Sequence, residues 1–274
     1  MPELPEVETS RRGIAPHLEN QRISGVVIRQ PKLRWEIPQL QQILPGLKIT
    51  SVQRRAKYLL IACTEGNHHK GTLIMHLGMS GSLRVVPSDT PPLKHDHFDL
   101  QLGRQCLRLR DPRRFGAILW TETSAQQHPL IASLGPEPLS DEFNAAYLLA
   151  QAKRRKVPIK QLLMDGKVVV GVGNIYATES LFLSGIHPSR ACNRIAKGRL
   201  ERLVENVKIT LAYAIERGGT TLRDFQQQDG KPGYFQQELL VYGREGEACK
   251  ACGTIIRAKQ IGQRTSSYCP ACQR

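Results

Sequence analysis

The 274-residue sequence predicts an α+β fold of two domains: a β-sandwich opened by one helix, then a helical domain that ends in a zinc-bound β-hairpin. Three observations carry this. Between about residues 22 and 120, short apolar or alternating runs recur with Gly, Pro and Asn between them, as strands joined by tight turns do. After Leu134-Gly-Pro-Glu-Pro-Leu139 the spacing of apolar residues turns helical. Near the end, Cys249-Lys-Ala-Cys252 and Cys269-Pro-Ala-Cys272 form C-x2-C-x16-C-x2-C, the ligand spacing of one closed tetrahedral zinc. A segment that small needs such a staple. The break falls near 125–140, giving a β-sandwich domain over 1–130, a helical domain over 131–237 and a finger over 238–274.

At the N-terminus, Val7, Ser10, Arg11, Ile14 and Leu18 share one face of a helix. Pro5 suits its first turn, and Glu6 and Glu8 suit the positive end of its dipole. Such a helix holds Pro2 and Glu3 in place. The small residue after Met1 invites removal of that methionine, leaving Pro2 as a free secondary amine. An α-amino group titrates near about pH 7.7–8, so it keeps a neutral, nucleophilic fraction where a lysine does not. Attack on an aldehyde carbon gives an iminium ion with no N–H to lose, a standing electron sink. Glu3 is the adjacent proton carrier.

Candidate strands follow at Ile23–Arg29, Leu47–Gln53, Tyr58–Ala62, Thr72–Leu77, Ser82–Val86, Phe98–Leu102 and Cys106–Arg110. They read as a two-layer sandwich or barrel. Lys57, before an apolar strand, is either a solvated strand end or a phosphate contact and proton donor near the amine. Met79 lies in a glycine-flanked turn, where it would serve a base-flipping protein as a wedge. Lys94-His-Asp-His-Phe98 sets two histidines at i, i+2 on a strand; with no further ligand cluster they read as phosphate contacts or plain surface, not a metal site. From Arg104 to Arg114 five arginines accompany one acid, Asp111, and the run ends in the turn Asp111-Pro-Arg-Arg-Phe-Gly116. Arg113 can read a base edge or hold phosphate through two donors, and Phe115 can insert between bases.

In the second half, Phe143–Gln151 and Ile159–Met164 are helical, and Lys153-Arg-Arg-Lys156 between them is a phosphate-contact candidate. The Gly-x-Gly of Val170-Gly-Val-Gly-Asn174 does not continue as a dinucleotide site: Tyr176 occupies the third small position and no strand–helix–strand alternation follows. A turn between two helices fits, with Asn174 as N-cap and free N–H groups for a phosphate. Leu200–Arg217 is amphipathic, and Thr220–Gln237 has the polar, Gly-rich composition of a lid. The finger hairpin is expected over Thr254–Lys259 and Gln263–Tyr268, in a segment (241–274) with six Lys/Arg against two Glu.

A net charge of +15 favours an anionic partner, most simply nucleic acid. Aromatics at 5% exclude extensive base stacking on exposed rings. No run of about 18 apolar residues exists, so a membrane span is excluded, and without a signal peptide a cytoplasmic monomer is expected. Cys63, Cys106 and Cys192 read as small buried residues.

Pro2-Glu-Leu-Pro-Glu-Val-Glu-Thr-Ser10, the QRRAKYLL, HLGMSGSLR and DPRRFG stretches, the GVGNIYA turn, the GKPGYF loop and the finger together resemble the formamidopyrimidine-DNA glycosylase family of bacterial repair enzymes over the whole chain. Gly166 is a mild departure, where many members carry a larger polar residue. The resemblance implies a bifunctional DNA glycosylase and abasic-site lyase that removes oxidised purines (8-oxoguanine, formamidopyrimidines) by β,δ-elimination through a Schiff base at Pro2. Glu3, Lys57 and Arg264 would assist, Arg264 in the second elimination or as a plain phosphate contact. Met79, Arg113 and Phe115 would fill the void in the duplex, with Arg113 facing the orphaned cytosine. His95, Arg155 and Asn174, the last in a helix–two-turn–helix, would contact DNA, and 220–237 would fold over the extruded base. Cys249, Cys252, Cys269 and Cys272 would hold one structural Zn2+, and the partner would be double-stranded DNA with oxidised bases or abasic sites. Two other readings stand beside it: an oxidised-pyrimidine glycosylase of the endonuclease VIII type, and a non-catalytic zinc-finger DNA-binding protein, which leaves Pro2-Glu3 unexplained.

Overall fold

Helix α1 (Leu4–Leu18) starts on a capping box: the Glu6 carboxylate accepts the Glu3 N–H at 2.8 Å, and the Glu3 side chain accepts the N–H of Glu6. Val7, Ile14 and Leu18 are buried as the periodicity predicts, while Ser10 and Arg11 flank that stripe half-buried. The computed structural model describes residues 2–218 and 239–274, which gather into two units, 2–132 and 133–217 with 239–274.

In the first unit, β1 (Gly25–Ile28) and a short α2 (Leu40–Ile43) lead to β2 (Lys48–Arg55), β3 (Tyr58–Glu65), β4 (His68–His76), β5 (Ser82–Pro87), β6 (Asp96–Leu102), β7 (Gln105–Arg110) and β8 (Ala117–Thr121), with α3 (Pro129–Ala132) at its end. Two antiparallel four-stranded sheets result, ordered β1-β6-β7-β5 and β2-β3-β4-β8. Val52, Leu59, Ile61, Leu73 and Met75 of one sheet and Phe98, Leu100, Leu107 and Leu109 of the other share a single core with Ile14 and Leu18 of α1. Strand β8 is absent from the sequence expectation. Its five residues are defined by pairing on β4, Ile74 opposite Leu119 and Met75 opposite Ile118, and that contact is not local. His95 also differs from expectation. It sits in the turn before β6 with φ +75, so it does not share a strand face with His97; the Asp111 N–H holds that turn by donating to the His95 carbonyl at 3.0 Å.

The arginine-rich run is not wholly a solvated face. Arg108 is 2% exposed and lies opposite Asp99 in the β6–β7 ladder. Its Nε and Nη2 donate to the two Asp99 oxygens at 2.8 and 2.9 Å, Arg29 adds a further ion pair to Asp99, and Arg84 reaches Asp96 at 2.9 Å. Burial pushes the Asp99 carboxyl up, but hydrogen bonds from Arg29 and Arg108 prevail and hold it below the usual range.

The second unit contains α4 (Ala145–Lys153), α5 (Ile159–Met164), α6 (Asn174–Leu183), α7 (Lys197–Glu216) and the hairpin β9 (Arg257–Ile261) with β10 (Arg264–Tyr268). The Asn144 side chain caps α4 by accepting the Tyr147 N–H at 3.0 Å. Asn174 is not the cap of α6. Gly173 is, in extended conformation, and Asn174 is the first helical residue. The expected loop over 220–237 lies outside the described residues. Among those described, no helix is long and apolar enough to cross a membrane.

Replacing Asp99 with alanine removes both short carboxylate bonds of the buried Arg108 and leaves it Asp96 at 3.9 Å, so Asp99→Ala is expected to cost about 3 kcal/mol of unfolding free energy. Urea unfolding checks this: a shift under about 1 kcal/mol would contradict the pairing as the support of this sheet.

Candidate functional site

The N-terminal end of α1 is buried. Pro2 is enclosed and Glu3 is 2% exposed. Two carboxylates further along keep it there. Glu6 closes the capping box, and Glu8 takes Arg11 at 2.8 Å, Arg12 at 3.0 Å and Arg54 of β2 at 3.1 Å, which rivets α1 to the sheet. Burial alone would raise the Glu8 carboxyl, but the hydrogen bonds from Arg11 and Arg12 and the nearby Arg54 charge hold it below its ordinary value.

Lys57 is the second residue of the two-residue loop between β2 and β3, after Ala56 at φ +55. The neighbouring Tyr58 faces His76 across the β3–β4 ladder, rings 4.8 Å apart. His76 is absent from the sequence expectation, although it is the polar residue ending the apolar Thr72–Met75 run. Its Nδ1 accepts the Gly78 N–H at 3.0 Å, which leaves Nε2 as the donor of a neutral ring. Burial pulls its pKa down to about 4, with the Lys57 and Arg34 charges pushing the same way.

Met79, Arg113 and Phe115 come from two turns that are stitched into one surface. A Cβ on Gly78, at φ +63, would meet the Phe115 carbonyl carbon at 2.3 Å, so the two backbones touch at a position only glycine fills. Asp111 is fully buried and ties both turns: Ser80 Oγ donates to Oδ1 and the Gly116 N–H donates to Oδ2, each at 2.7 Å. Ser80 Oγ in turn accepts the Arg113 N–H at 3.1 Å. Arg113 and Phe115 remain exposed with the guanidinium carbon 5.2 Å from the ring centroid, and Met79 is half-buried beside them. His95, half-buried in the adjoining turn, is tied to Asp111 through backbone.

In the second unit Arg155 and Arg264 line one cleft of about 380 Å³, with Gln161, Met164, Asp165 and Gln263. The β10 strand is seated there by side chains of α5 and α6: Lys160 Nζ donates to Ser266 Oγ at 2.6 Å, and Asn174 Nδ2 donates to the Thr265 carbonyl at 3.2 Å. Asn174 thus carries a protein contact where a phosphate contact alone is expected. Lys160, 1% exposed, is missing from the expectation because a lysine inside a helical stripe reads as a surface residue until the hairpin covers it. Glu179 of α6 accepts three backbone N–H groups, Leu240, Val241 and Tyr242, at 2.8–3.0 Å. Burial raises its carboxyl despite those bonds.

The four finger cysteines present sulfurs that all lie within 4.8 Å of one another, with Cys252 and Cys269 at 3.5 Å. A tetrahedral ion with Zn–S of about 2.3 Å separates its sulfurs by about 3.8 Å, so the set fits one closed zinc site. The core it staples is small, built from Phe182, Val241 and Ile256 around Cys249 and Cys269.

Three family models match successive parts of the chain. Residues 1–118 match the formamidopyrimidine-DNA glycosylase N-terminal domain, 134–226 its H2TH domain, and 246–274 the zinc finger found in FPG and IleRS. The formamidopyrimidine-DNA glycosylase of Xanthomonas axonopodis pv. citri (strain 306) is 58% identical, with 100% of both chains covered. The crystal structure of the MutM (Fpg) protein from Thermus thermophilus superimposes with TM-score 0.89 at 37% identity, covering 99% of this chain and 98% of that one. A Lactococcus lactis FPG mutant in complex with Fapy-dG DNA gives 0.92 at 32% identity over 100% of both chains. The Lactococcus lactis Fpg in complex with abasic-site DNA gives 0.91 at 32% over 99% of each.

Two outcomes follow from this geometry. His76 titrates at 6.5 ordinarily and at about 4 when folded, so between these values the unfolded chain binds the extra proton. Stability is therefore complete above pH 6.5 and falls as pH drops toward 4, by about 3 kcal/mol for this group. His76→Gln should remove that part of the acid limb in urea titrations at pH 7, 5.5 and 4. Chelation should release one zinc per chain and melt the finger, seen as lost amide protection over 246–274 while the β-sandwich stays protected; a finger that keeps its protection without zinc would contradict the staple.

Proposed function

The chain belongs to the formamidopyrimidine-DNA glycosylase family, and on that premise we propose how its residues carry the activity. The protein is a DNA glycosylase of base-excision repair with abasic-site lyase activity. Its substrates are duplexes carrying oxidised purines, 8-oxoguanine and formamidopyrimidines, and abasic sites. Cytoplasmic action on chromosomal DNA is part of the same proposal.

The observation that supports the mechanism most is the enclosure of Pro2 and Glu3 at a reciprocally capped helix start. Once Met1 is removed, the Pro2 nitrogen attacks C1′ of the deoxyribose. The C1′–base bond breaks and the base leaves with its electron pair, while Glu3 handles the proton at the ring oxygen as the sugar opens. The resulting iminium acidifies the C2′ hydrogen. Its removal expels the 3′ phosphate, and a second elimination, assisted by Arg264, expels the 5′ phosphate. Pre-setting the amine against a carboxylate on a fixed helix end gives the step its proximity.

In the same proposal, Lys57, His76 and His95 of the first unit and Arg155 and Asn174 of the second contact the DNA backbone. Met79, Arg113 and Phe115 enter the duplex where the damaged nucleotide has left, Phe115 as the apolar wedge and Arg113 as the bidentate reader of the unpaired base. The zinc does no chemistry; Cys249, Cys252, Cys269 and Cys272 hold it, and it holds the hairpin that presents Arg264.

Borohydride reduction tests the reading. Incubated with an 8-oxoguanine duplex, the protein should be captured covalently through Pro2, and Pro2→Gly should lose most strand cleavage. Normal cleavage by a variant carrying an extra residue ahead of Pro2 would overturn the mechanism. Salt-dependent binding without scission would instead mark a non-catalytic DNA-binding protein, and faster excision of thymine glycol than of 8-oxoguanine would mark a pyrimidine-lesion enzyme.

A further inference from the structure

Arg34 and Trp35 have no part in the roles above. Between β1 and α2 the backbone makes an excursion, closed by a bridge between Lys32 and Glu36 and by the Leu33 N–H donating to the Trp35 carbonyl at 3.0 Å. At its tip the Arg34 N–H donates to the Gly116 carbonyl at 3.0 Å, which fastens the excursion to the base of the turn bearing Phe115. Both side chains are exposed, Trp35 by 38%. The guanidinium carbon of Arg34 stands 4.7 Å from the Trp35 ring centroid. Among the described residues no carboxylate forms an ion pair with Arg34.

The tip is joined to the β2–β3 turn by strand register: Gly116, which accepts the Arg34 N–H, precedes Ala117, Ala117 pairs with His76 across β4 and β8, and His76 pairs with Tyr58 next to Lys57. The Arg34 charge acts on both members of the Tyr58–His76 ring pair, opposing the burial-driven rise of the Tyr58 hydroxyl and adding to the fall at His76, where Lys57 acts too. That register brings Arg34, Lys57 and the neutral Nε2–H donor of His76 to one end of the β3–β4–β8 ladder. A bound anion supplies the opposite charge that the Arg34 guanidinium lacks among the described residues. Stacking on Trp35 covers a face of the guanidinium and leaves its edge N–H groups free, the geometry in which arginine grips two oxygens of a phosphate. The backbone bond to Gly116 ties that edge to the Phe115 turn, so a phosphate gripped there belongs to DNA lying on the same turn.

We propose that Arg34 is a DNA phosphate-binding residue that forms one anion subsite with Lys57 and His76, and that Trp35 is the platform holding its guanidinium in place. The inference deepens the DNA reading above and rests on it.

The test is the salt dependence of binding, measured from 50 to 200 mM on an undamaged duplex and on one with an abasic-site analogue. Arg34→Ala should weaken binding to both by a similar factor and reduce the slope of log K against log salt by about one. Arg34→Lys should restore the slope, and Trp35→Leu should weaken binding several-fold with the slope kept. Lys70→Ala is the control: Lys70 pairs with Glu65 at the far end of β4, about 20 Å from His76. It removes one charge and should leave the slope alone. A wild-type slope in Arg34→Ala, or an equal loss in Lys70→Ala, would overturn the assignment. Borohydride capture by the wild-type protein, run in parallel, separates the two readings. Capture with an unchanged Arg34→Ala slope sinks only the phosphate subsite, whereas no capture with the slope reduced sinks only the catalytic one. Thermal melts and a second variant, Arg34→Gln, guard against misfolding.

Discussion

The buried carboxylate of Asp111 joins two turns that are remote in sequence and keeps their tips pointing outward. One oxygen takes the Ser80 hydroxyl and the other the Gly116 N–H. Its backbone N–H and carbonyl bind the turn of His95 and the ring of His97. A turn with an exposed apolar or cationic tip has no packing of its own to hold it. Here the holding is done underneath, by hydrogen bonds to an ionisable acceptor stronger than neutral ones, and by the contact of Gly78 with the Phe115 backbone. Met79, Arg113, Phe115 and the Arg34 excursion bonded to Gly116 all inherit their positions from this joint.

The same device recurs along the chain. Glu6 and Glu8 fix the start of α1, Asp99 fixes β6 to β7 through Arg108, and Glu179 gathers the backbone of residues 240–242. The chain has 24 acidic residues against 39 Lys and Arg, so acids are scarce, and several of them are spent inside. Burying a carboxylate is tolerable only where N–H groups or guanidinium groups surround it. The consequence is a sorting of charge: buried acids shape the frame, and the excess of cations is left outward, where a polyanion can meet it.

Much of this is visible along the chain. Spacing alone marks α1, the run of short strands and the paired cysteines, because periodicity and ligand spacing are local. Elsewhere locality fails. Strand β8 is five residues of ordinary composition whose extended form comes from β4. Arg108 looks like one more surface arginine until Asp99 is set opposite it. Lys160 looks equally ordinary until β10 lies on it, and His76 looks like a strand end until the Tyr58 ring lies against it across the β3–β4 ladder.

The family and the metal-binding cysteines were decided by sequence, since the motifs of the family and a C-x2-C pair lie within a few positions. What the tertiary structure decided was company and exposure: which cations share one end of a ladder, which arginine is buried, that Asn174 enters its helix as the first residue behind Gly173, and that His95 leaves the strand for a left-handed turn. Those outcomes depend on contacts between residues tens of positions apart, and on the desolvation that follows from them, neither of which any local pattern encodes.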